Sequence, residues 1–515
     1  MSDTSLNHNN RTFHTDGDSC TAPNAASNTA SKTDQAEKSG ACEQKNASEE
    51  RKPLVIFSAG GKGTRIQSLN SSVPKPMIPI AGKPILRWGI ENLVEQGYTN
   101  FIITVSYMAD QIEDYFGDGS KFGCSIEYFY EENALGNAGA LFKLWEEGKI
   151  GEGESFLYLI ADAIFSIDFD RFYDYHISHD AIATLFTHPN SHPYDSSVLV
   201  LKGGNERIGG KDRIDGISGE SGTAYRVVDW LMKEDDRGQW YHNTVNAGLQ
   251  ILTTDLLKLS RIDPASVGFE RKVDLDRDIL KPLIPSHSIY SYTSSEYCKD
   301  AGTPKRFHSV EDDLLSGRVA AKNLKNPQKA IFLDRDGTIN KYNGFVREPQ
   351  SLELLPTAAE AIRLINQSGF LAIVITNQPV IARGEVTPAE LDIIHCKMET
   401  ELGKAGAYVD GIYICPHHPD KGFAGEVASL KVTCDCRKPK PGLLLRAASD
   451  FNINLEESVF IGDSWRDVKA GQSAGCKTVY LNGAGTESEG SDTCGHDCTP
   501  DMICDNLLDA VERIL

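Results

Sequence analysis

The sequence predicts an α/β protein made of two doubly wound, Rossmann-like units in succession. Three observations predict it. Short apolar runs alternate with amphipathic stretches from Pro53 onward, the alternation starts afresh near residue 329, and 515 residues are more than one ordinary core accommodates.

Residues 1–52 are rich in Ser, Asn, Thr and Ala and nearly free of branched apolar side chains. They cannot bury enough surface to offset the entropy of ordering and are expected to be disordered. A targeting leader is the competing reading, and Asp3, Asp16 and Asp18 argue against an organellar one. Over 53–307 the runs LVIFS, FIITVS and FLYLI alternate with stretches such as ILRWGIENLVEQG, the pattern of parallel strands with helical crossovers. SVEDDLLSGRVAAKNL then reads as a helix that leads into KNPQK, giving a helix and linker over 308–328. AIFLD opens the second unit, 329–515, in which the Gly-rich polar stretch 483–504 reads as a long loop before a last helix.

Composition narrows the function. A net charge of -21 repels polyphosphate backbones, which argues against a nucleic acid polymer as partner. No apolar run approaches the roughly 18 to 20 residues that span a bilayer, and MSDTSLNHNN lacks a secretory pattern. The expectation is a cytoplasmic protein without a membrane partner, self-association being left open. Twelve cysteines form no dense disulfide framework, and three of them cluster with a histidine, which favours reduced thiols and a metal site.

The first chemical signal follows LVIFS, in Gly60, Gly61, Lys62, Gly63, Thr64 and Arg65, with Lys75 after a further nine residues. A glycine-rich turn after a strand exposes backbone N–H groups to phosphates, because no side chain blocks their approach. No GK[ST] closes the loop, so it is not a Walker motif. GGKGTR followed by PKPMIPIAGKP resembles the sugar-1-phosphate nucleotidyltransferase family, over roughly residues 53 to 310. That resemblance implies attack by a sugar-1-phosphate oxygen on the nucleotide α-phosphorus, with pyrophosphate leaving. Two anions must then be brought together by cations and positioning.

By the same resemblance, Arg65 and Lys75 are catalytic and neutralise the triphosphate, and Asp162 and Asp300 hold magnesium. Gly60, Gly61, Gly63, Thr64 and Gly136 bind nucleotide. Glu132, Lys233 and Asn246 contact the sugar phosphate, with Leu135, Gly139 and Gly248 in the same motifs. Ala161, Met232 and Glu234 depart from the family pattern, and they motivate a competing reading in which this unit senses nucleotide or sugar without catalysis.

The second signal is DRDGT. Asp334 and Asp336, two apart, can divide labour between attack on phosphorus and proton transfer. Thr376 ends FLAIVIT, Arg437 and Lys438 lie in CRKPKPG, and Asp463 lies in VFIGDSWRD. This order resembles the haloacid dehalogenase-like phosphatases. The resemblance makes Asp334 the nucleophile and Asp336 the acid/base, places magnesium on Asp334, Asp336 and Asp463, and puts the phosphoryl group on Thr376 and Lys438. Substrate contacts fall to Asn377, Gln378 and Arg437.

Cys415, His417, Cys434 and Cys436 offer three sulfurs and one imidazole, the donor set of a closed, structural zinc site. His418 competes with His417 for the fourth position, and family resemblance favours His417. Cys494, His496 and Cys498 lack a fourth ligand and read as a loop. The zinc stretch, TNQPVIARG and CDCRKPKPG narrow the resemblance to heptose bisphosphate phosphatases and their histidinol phosphatase relatives.

Together the two resemblances imply small-molecule substrates: a nucleoside triphosphate and sugar phosphates. Removal of the 7-phosphate of D-glycero-D-manno-heptose 1,7-bisphosphate supplies heptose 1-phosphate for nucleotidyl transfer, with GTP favoured as donor and GDP-heptose as product. CTP, UTP, ATP and dTTP stay open, as does a hexose- or mannose-1-phosphate transferase fused to another small-phosphoester phosphatase.

Overall fold

The computed structural model describes residues 52–61, 72–131, 133, 135–203, 225–235, 237–268, 271–482 and 498–515. Apart from Lys52, the N-terminal segment 1–52 lies outside the described residues, as do Cys494 and His496.

The first lobe is built on nine strands: β1 (Val55–Ser58), β4 (Asn100–Val105), β5 (Ser125–Tyr130), β6 (Ser155–Ile160), β8 (Ala183–His188), β9 (Val198–Gly203), β10 (Tyr225–Leu231), β11 (Val245–Thr253) and β12 (Ile289–Thr293). Short pairs lie outside that sheet, namely β2 (Pro79–Ile80) with β3 (Lys83–Pro84), and β7 (Ala163–Ser166) with β13 (Tyr297–Asp300). The order is β5-β4-β1-β6-β11-β8-β12-β10-β9. Strands β5, β4, β1 and β6 are parallel, whereas β11 runs antiparallel to both β6 and β8. The parallel pattern expected up to residue 307 therefore holds for β5, β4, β1 and β6 and again for β8 with β12, but not throughout the lobe. Beyond β6, the strands β11, β9 and β10 bring antiparallel pairs into the sheet.

Helices α1 (Ile85–Val94), α2 (Ala109–Phe116), α3 (Gly139–Glu146) and α4 (Phe169–Ser178) belong to this lobe, followed by the short α5 (Asp255–Leu259) and α6 (Lys281–Leu283). The strands are apolar on both faces because both faces are covered. In β1, Val55 and Phe57 enter one core and Ile56 the other.

The second lobe is a fully parallel sheet of β14 (Lys329–Leu333), β15 (Phe370–Asn377), β16 (Gly411–Cys415), β17 (Val459–Gly462), β18 (Lys477–Leu481) and β19 (Met502–Cys504). Its order is β16-β15-β14-β17-β18-β19, so chain direction across the sheet reverses between β14 and β17. Ile331 and Leu333 face one core, Ala330 and Phe332 the other. Helices α9 (Ala358–Gln367), α10 (Pro388–Lys404), α11 (Gly442–Phe451), α12 (Trp465–Ala474) and α13 (Leu507–Ile514) cover the faces. Strand β19 corrects the reading of 483–504 as a loop throughout. Three residues at its end pair with β18, and a three-residue edge strand is too short to show a period of two in the sequence.

Between the sheets, α7 (Pro304–Leu315) and α8 (Arg318–Ala321) pack down rather than hang free. Glu296 Oε1 accepts from the backbone N–H groups of Asp168 and Leu324, at 2.7 and 3.1 Å, and Asn452 Nδ2 donates to the Leu324 carbonyl at 2.9 Å. Lys52–Leu515 is one compact unit. Among the described residues, no helix is long and apolar enough to cross a membrane.

Candidate active sites and metal centre

In both lobes the reacting groups gather where strand order reverses, because there the loops after two adjacent strands splay apart and leave a crevice. In the first lobe that point lies between β1 and β6. A cavity of about 460 Å³ opens there, lined by Gly60 and Gly61 after β1, Asp162 after β6, Lys75, Glu131, Gly136, Asn137 and Lys272, among others. Gly136 has φ +87°, and a Cβ there would collide with the backbone of Val273, so only glycine lets this loop close on its neighbour. The two strands hold each other, with Val273 N–H donating to Leu135 O at 2.8 Å and Ala138 N–H to Val273 O at 3.1 Å.

Lys75 pairs with Asp162. Asp300 is brought alongside by the pairing of β7 with β13, in which Asp300 faces Ala163 and Ala301 N–H donates to the Asp162 carbonyl at 3.2 Å. The Asp300 carboxylate accepts from Gly302 N–H and from Arg306 Nη1, both at 2.7 Å. Burial raises the Glu131 carboxyl above its usual range.

Gly63, Thr64, Arg65 and Glu132 lie outside the described residues. Lys233 is exposed beyond the end of β10 and does not line the cavity. Asn246 does not line it either. Its Oδ1 accepts from Gly248 N–H at 3.2 Å, inside a bulge of β11 packed on Ile160, which is itself a lining residue. Sequence reasoning missed Glu131, Asn137 and Lys272. Glu131 adjoins Glu132 and Asn137 adjoins Gly136 in the sequence, whereas Lys272 arrives through the backbone contact of Val273 with residues 135–138.

In the second lobe Asp334 follows β14 and Asp463 follows β17, the two strands that flank the reversal. Asp334, Asp463 and Asp467 each bring a carboxylate oxygen within 4.8 Å of the others. All three are buried. Lys438 Nζ sits between them, 2.7 Å from Asp334 Oδ1 and 2.6 Å from Asp467 Oδ1, and donates to Ile375 O at 3.0 Å. Burial first, then the neighbouring carboxylates, push the Asp334 and Asp463 carboxyls well above their usual range. One lysine cannot neutralise three buried carboxylates, so the donor set fits a hard divalent cation. Asp467 was missing from the expected ligands. It caps α12, where its carboxylate accepts from Ser464 N–H at 3.1 Å, and a first-turn acid reads in sequence as a cap alone.

The side chain of Asp336, expected among the magnesium ligands, lies outside that group of three carboxylates. Arg335, itself fully buried, donates to Asp336 through Nη2 at 2.7 and 2.8 Å, Asn340 Nδ2 donates at 3.0 Å, and Gln378 Nε2 at 2.9 Å. Gln378 Nε2 also reaches Thr376 Oγ1 at 2.9 Å. Asn377 exchanges bonds with the backbone of Lys438, at 3.0 and 3.2 Å, and Arg437 Nη1 donates to His417 O at 3.3 Å. Burial, with Arg466 and Arg383 nearby, lowers the Arg437 guanidinium from its usual value.

Cys415, His417, Cys434 and Cys436 converge on one point. Their sulfur pairs lie 3.2, 3.4 and 3.6 Å apart, and His417 Nδ1 is 3.2 Å from Cys436 Sγ. Donors about 2.0 to 2.3 Å from a tetrahedral zinc stand roughly 3.3 to 3.8 Å apart, so the set fits that ion. His418 turns away, its Nδ1 accepting from Asp420 N–H at 3.2 Å.

Comparison with known proteins now decides the family. Over 187 residues the chain is 37% identical to the D-glycero-beta-D-manno-heptose-1,7-bisphosphate 7-phosphatase of Yersinia pestis, covering 94% of that protein and 36% of this chain. The chain belongs to this phosphatase family. The Escherichia coli (strain K12) member is 41% identical over 152 residues, 78% of its length and 30% of this chain. The nucleotidyl transferase family model matches residues 54–208, and the HAD-hydrolase-like model matches 435–510. The heptose bisphosphate phosphatase is thus fused behind a nucleotidyltransferase, and the chain is an enzyme in both parts. Among solved structures, HddC from Yersinia pseudotuberculosis is 21% identical over 51% of this chain and all of its own, with a TM-score of 0.39. The D,D-heptose 1.7-bisphosphate phosphatase of B. bronchiseptica, complexed with magnesium and phosphate, is 34% identical over 36% of this chain and 98% of its own, with a TM-score of 0.31.

Proposed function

We propose that the chain removes the 7-phosphate of D-glycero-D-manno-heptose 1,7-bisphosphate and then transfers a nucleotidyl group, from GTP by preference, to the heptose 1-phosphate so formed. The observation that carries the reading is the pairing of a buried three-carboxylate group with Lys438 in one crevice and of Lys75 with Asp162 in another. The division between the two enzymes falls within 308–328.

In the second lobe Asp334 attacks phosphorus, while Lys438 and Thr376 hold the phosphoryl oxygens. Asp336 moves the proton, and to do so its carboxyl must leave Arg335. Asp334, Asp463 and Asp467 would hold magnesium, which supplies charge neutralisation between the anionic nucleophile and the phosphate dianion. A bisphosphate also needs cations for its second anionic group. Arg383, stacked 4.6 Å from the rings of Phe345 and Phe423, lies near Arg437, and with Lys431, buried 4.5 Å from Phe423, supports that choice. Cys415, His417, Cys434 and Cys436 would hold a structural zinc that fixes the loop carrying Arg437.

In the first lobe Asp162 and Asp300 would hold magnesium, with Lys75 and Arg65 on the triphosphate and the backbone at Gly60 and Gly61 facing phosphate oxygens. Lys272 lines the cavity whereas Lys233 is exposed outside it, which favours Lys272 for the sugar phosphate.

The test is product mass measurement after mixing the full chain, magnesium, heptose 1,7-bisphosphate and each nucleoside triphosphate in turn. Phosphate, pyrophosphate and GDP-heptose are expected. Phosphate release with no pyrophosphate from any triphosphate would favour the sensor reading, and release from histidinol phosphate in preference to the bisphosphate would overturn the sugar assignment.

A further inference from the structure

The seam between the lobes carries a cluster that neither enzyme's chemistry uses. His242, on the segment leading into β11, meets Asp392 and Cys396, which lie four apart on α10 and so project from one helix face. One ligand atom from each lies within 4.8 Å of the others. His242 Nε2 is 3.0 Å from Asp392 Oδ1, while Nδ1 bonds to Glu399, one further turn along the same face. The backbone is pinned beside it, with Tyr241 N–H donating to Thr400 Oγ1 at 3.0 Å and Thr400 Oγ1 donating back to Tyr241 O at 3.1 Å.

We propose that His242, Asp392 and Cys396 form a second transition-metal site, of the zinc class, that joins the two lobes. The donors are one imidazole nitrogen, one carboxylate oxygen and one sulfur, a set that suits zinc or cobalt and suits magnesium or calcium poorly. An imidazole that offers one nitrogen to the donors and binds a carboxylate through the other is the outer-shell arrangement that orients a metal-bound histidine. Among the described residues, neither Asp392 nor Glu399 pairs with a lysine or arginine; His242 is the partner of both. Asp392 and His242 keep side-chain exposures of 38 and 24%, so an ion reaches the site from solvent. A proton on His242 is the rival occupant, since an imidazolium between two carboxylates satisfies the same charges. The ion would tie the approach to β11 to α10, the helix whose His395 Nε2 lies 3.2 Å from Arg335 Nη1 behind Asp336.

The test is zinc titration of the chelator-stripped full chain, with bound metal counted per chain. The unmodified chain is expected to bind one equivalent more than His242→Ala or Cys396→Ala, and Cys434→Ser is expected to keep the seam equivalent. Equal zinc binding by the unmodified chain and both seam variants overturns the proposal in favour of a protonated His242. A second measurement needs no variant. Zinc is expected to slow alkylation of Cys396, followed by peptide mass, at least tenfold, and an unchanged rate overturns the site.

Discussion

Single atoms decide much at the phosphatase crevice. Gly337 has φ +84°, and a Cβ there would strike the Asp463 carboxylate. Gly337→Ala therefore costs about 1 to 2 kcal/mol for the left-handed backbone and also displaces a carboxylate proposed to hold magnesium. The expected outcome is a phosphatase kcat/KM at least tenfold lower with a raised magnesium requirement, measured by titrating magnesium in a phosphate-release assay. His176 makes a different case. Its ring is buried between Ser155 Oγ, at 3.1 Å, and Thr184 Oγ1, at 2.8 Å, and burial pushes its pKa down to about 4. The unfolded chain takes up a proton near pH 6.5 and the folded ring does not, so the folded state's advantage is complete above about 6.5 and is lost as pH falls toward 4. The difference is about 3 kcal/mol. Denaturant unfolding should show His176→Gln losing less stability than the unmodified chain between pH 6.5 and 4, and an equal loss would contradict this.

At the scale of elements, the central strands were legible because they are apolar on both faces, as Val55 to Phe57 and Ala330 to Leu333 are. Side chains delivered by a strand's end were legible too, since Asp162, Asp334 and Asp463 follow such runs directly. Asp467 and Lys272 were not, because their roles come from spatial neighbours. Lys233, which motif position assigns to the sugar phosphate, is exposed beyond the end of β10 and does not line the cavity. The cysteine and histidine group was legible through its spacing, with family resemblance choosing His417 over His418. Cys434→Ser should release one zinc equivalent and lower the melting temperature of the second lobe by several degrees, since binding energy at such a site is folding energy. Unchanged zinc content and melting would count against the ligand set.

For the whole molecule, two crevices on separate sheets imply two separable activities. Asp334→Asn should reduce phosphate release at least a thousandfold and leave pyrophosphate release within twofold, and Lys75→Met should do the opposite. Loss of both activities in a folded variant would show that the sites depend on each other. The sequence by itself determined the fold class, the two chemistries and the convergence of three cysteines with a histidine, because apolar period, glycine turns and ligand spacing are local properties of the chain. Tertiary structure alone decided that β11 reverses direction, that the acid of α12 joins the carboxylates, that Asp336 is held by Arg335, and that His242 meets α10. Each of these depends on residues far apart in the chain, the Arg335–Asp336 pair through His395 and Gln378, and the energy that selects them comes from burial and charge neutralisation, which exist only once the lobes have closed.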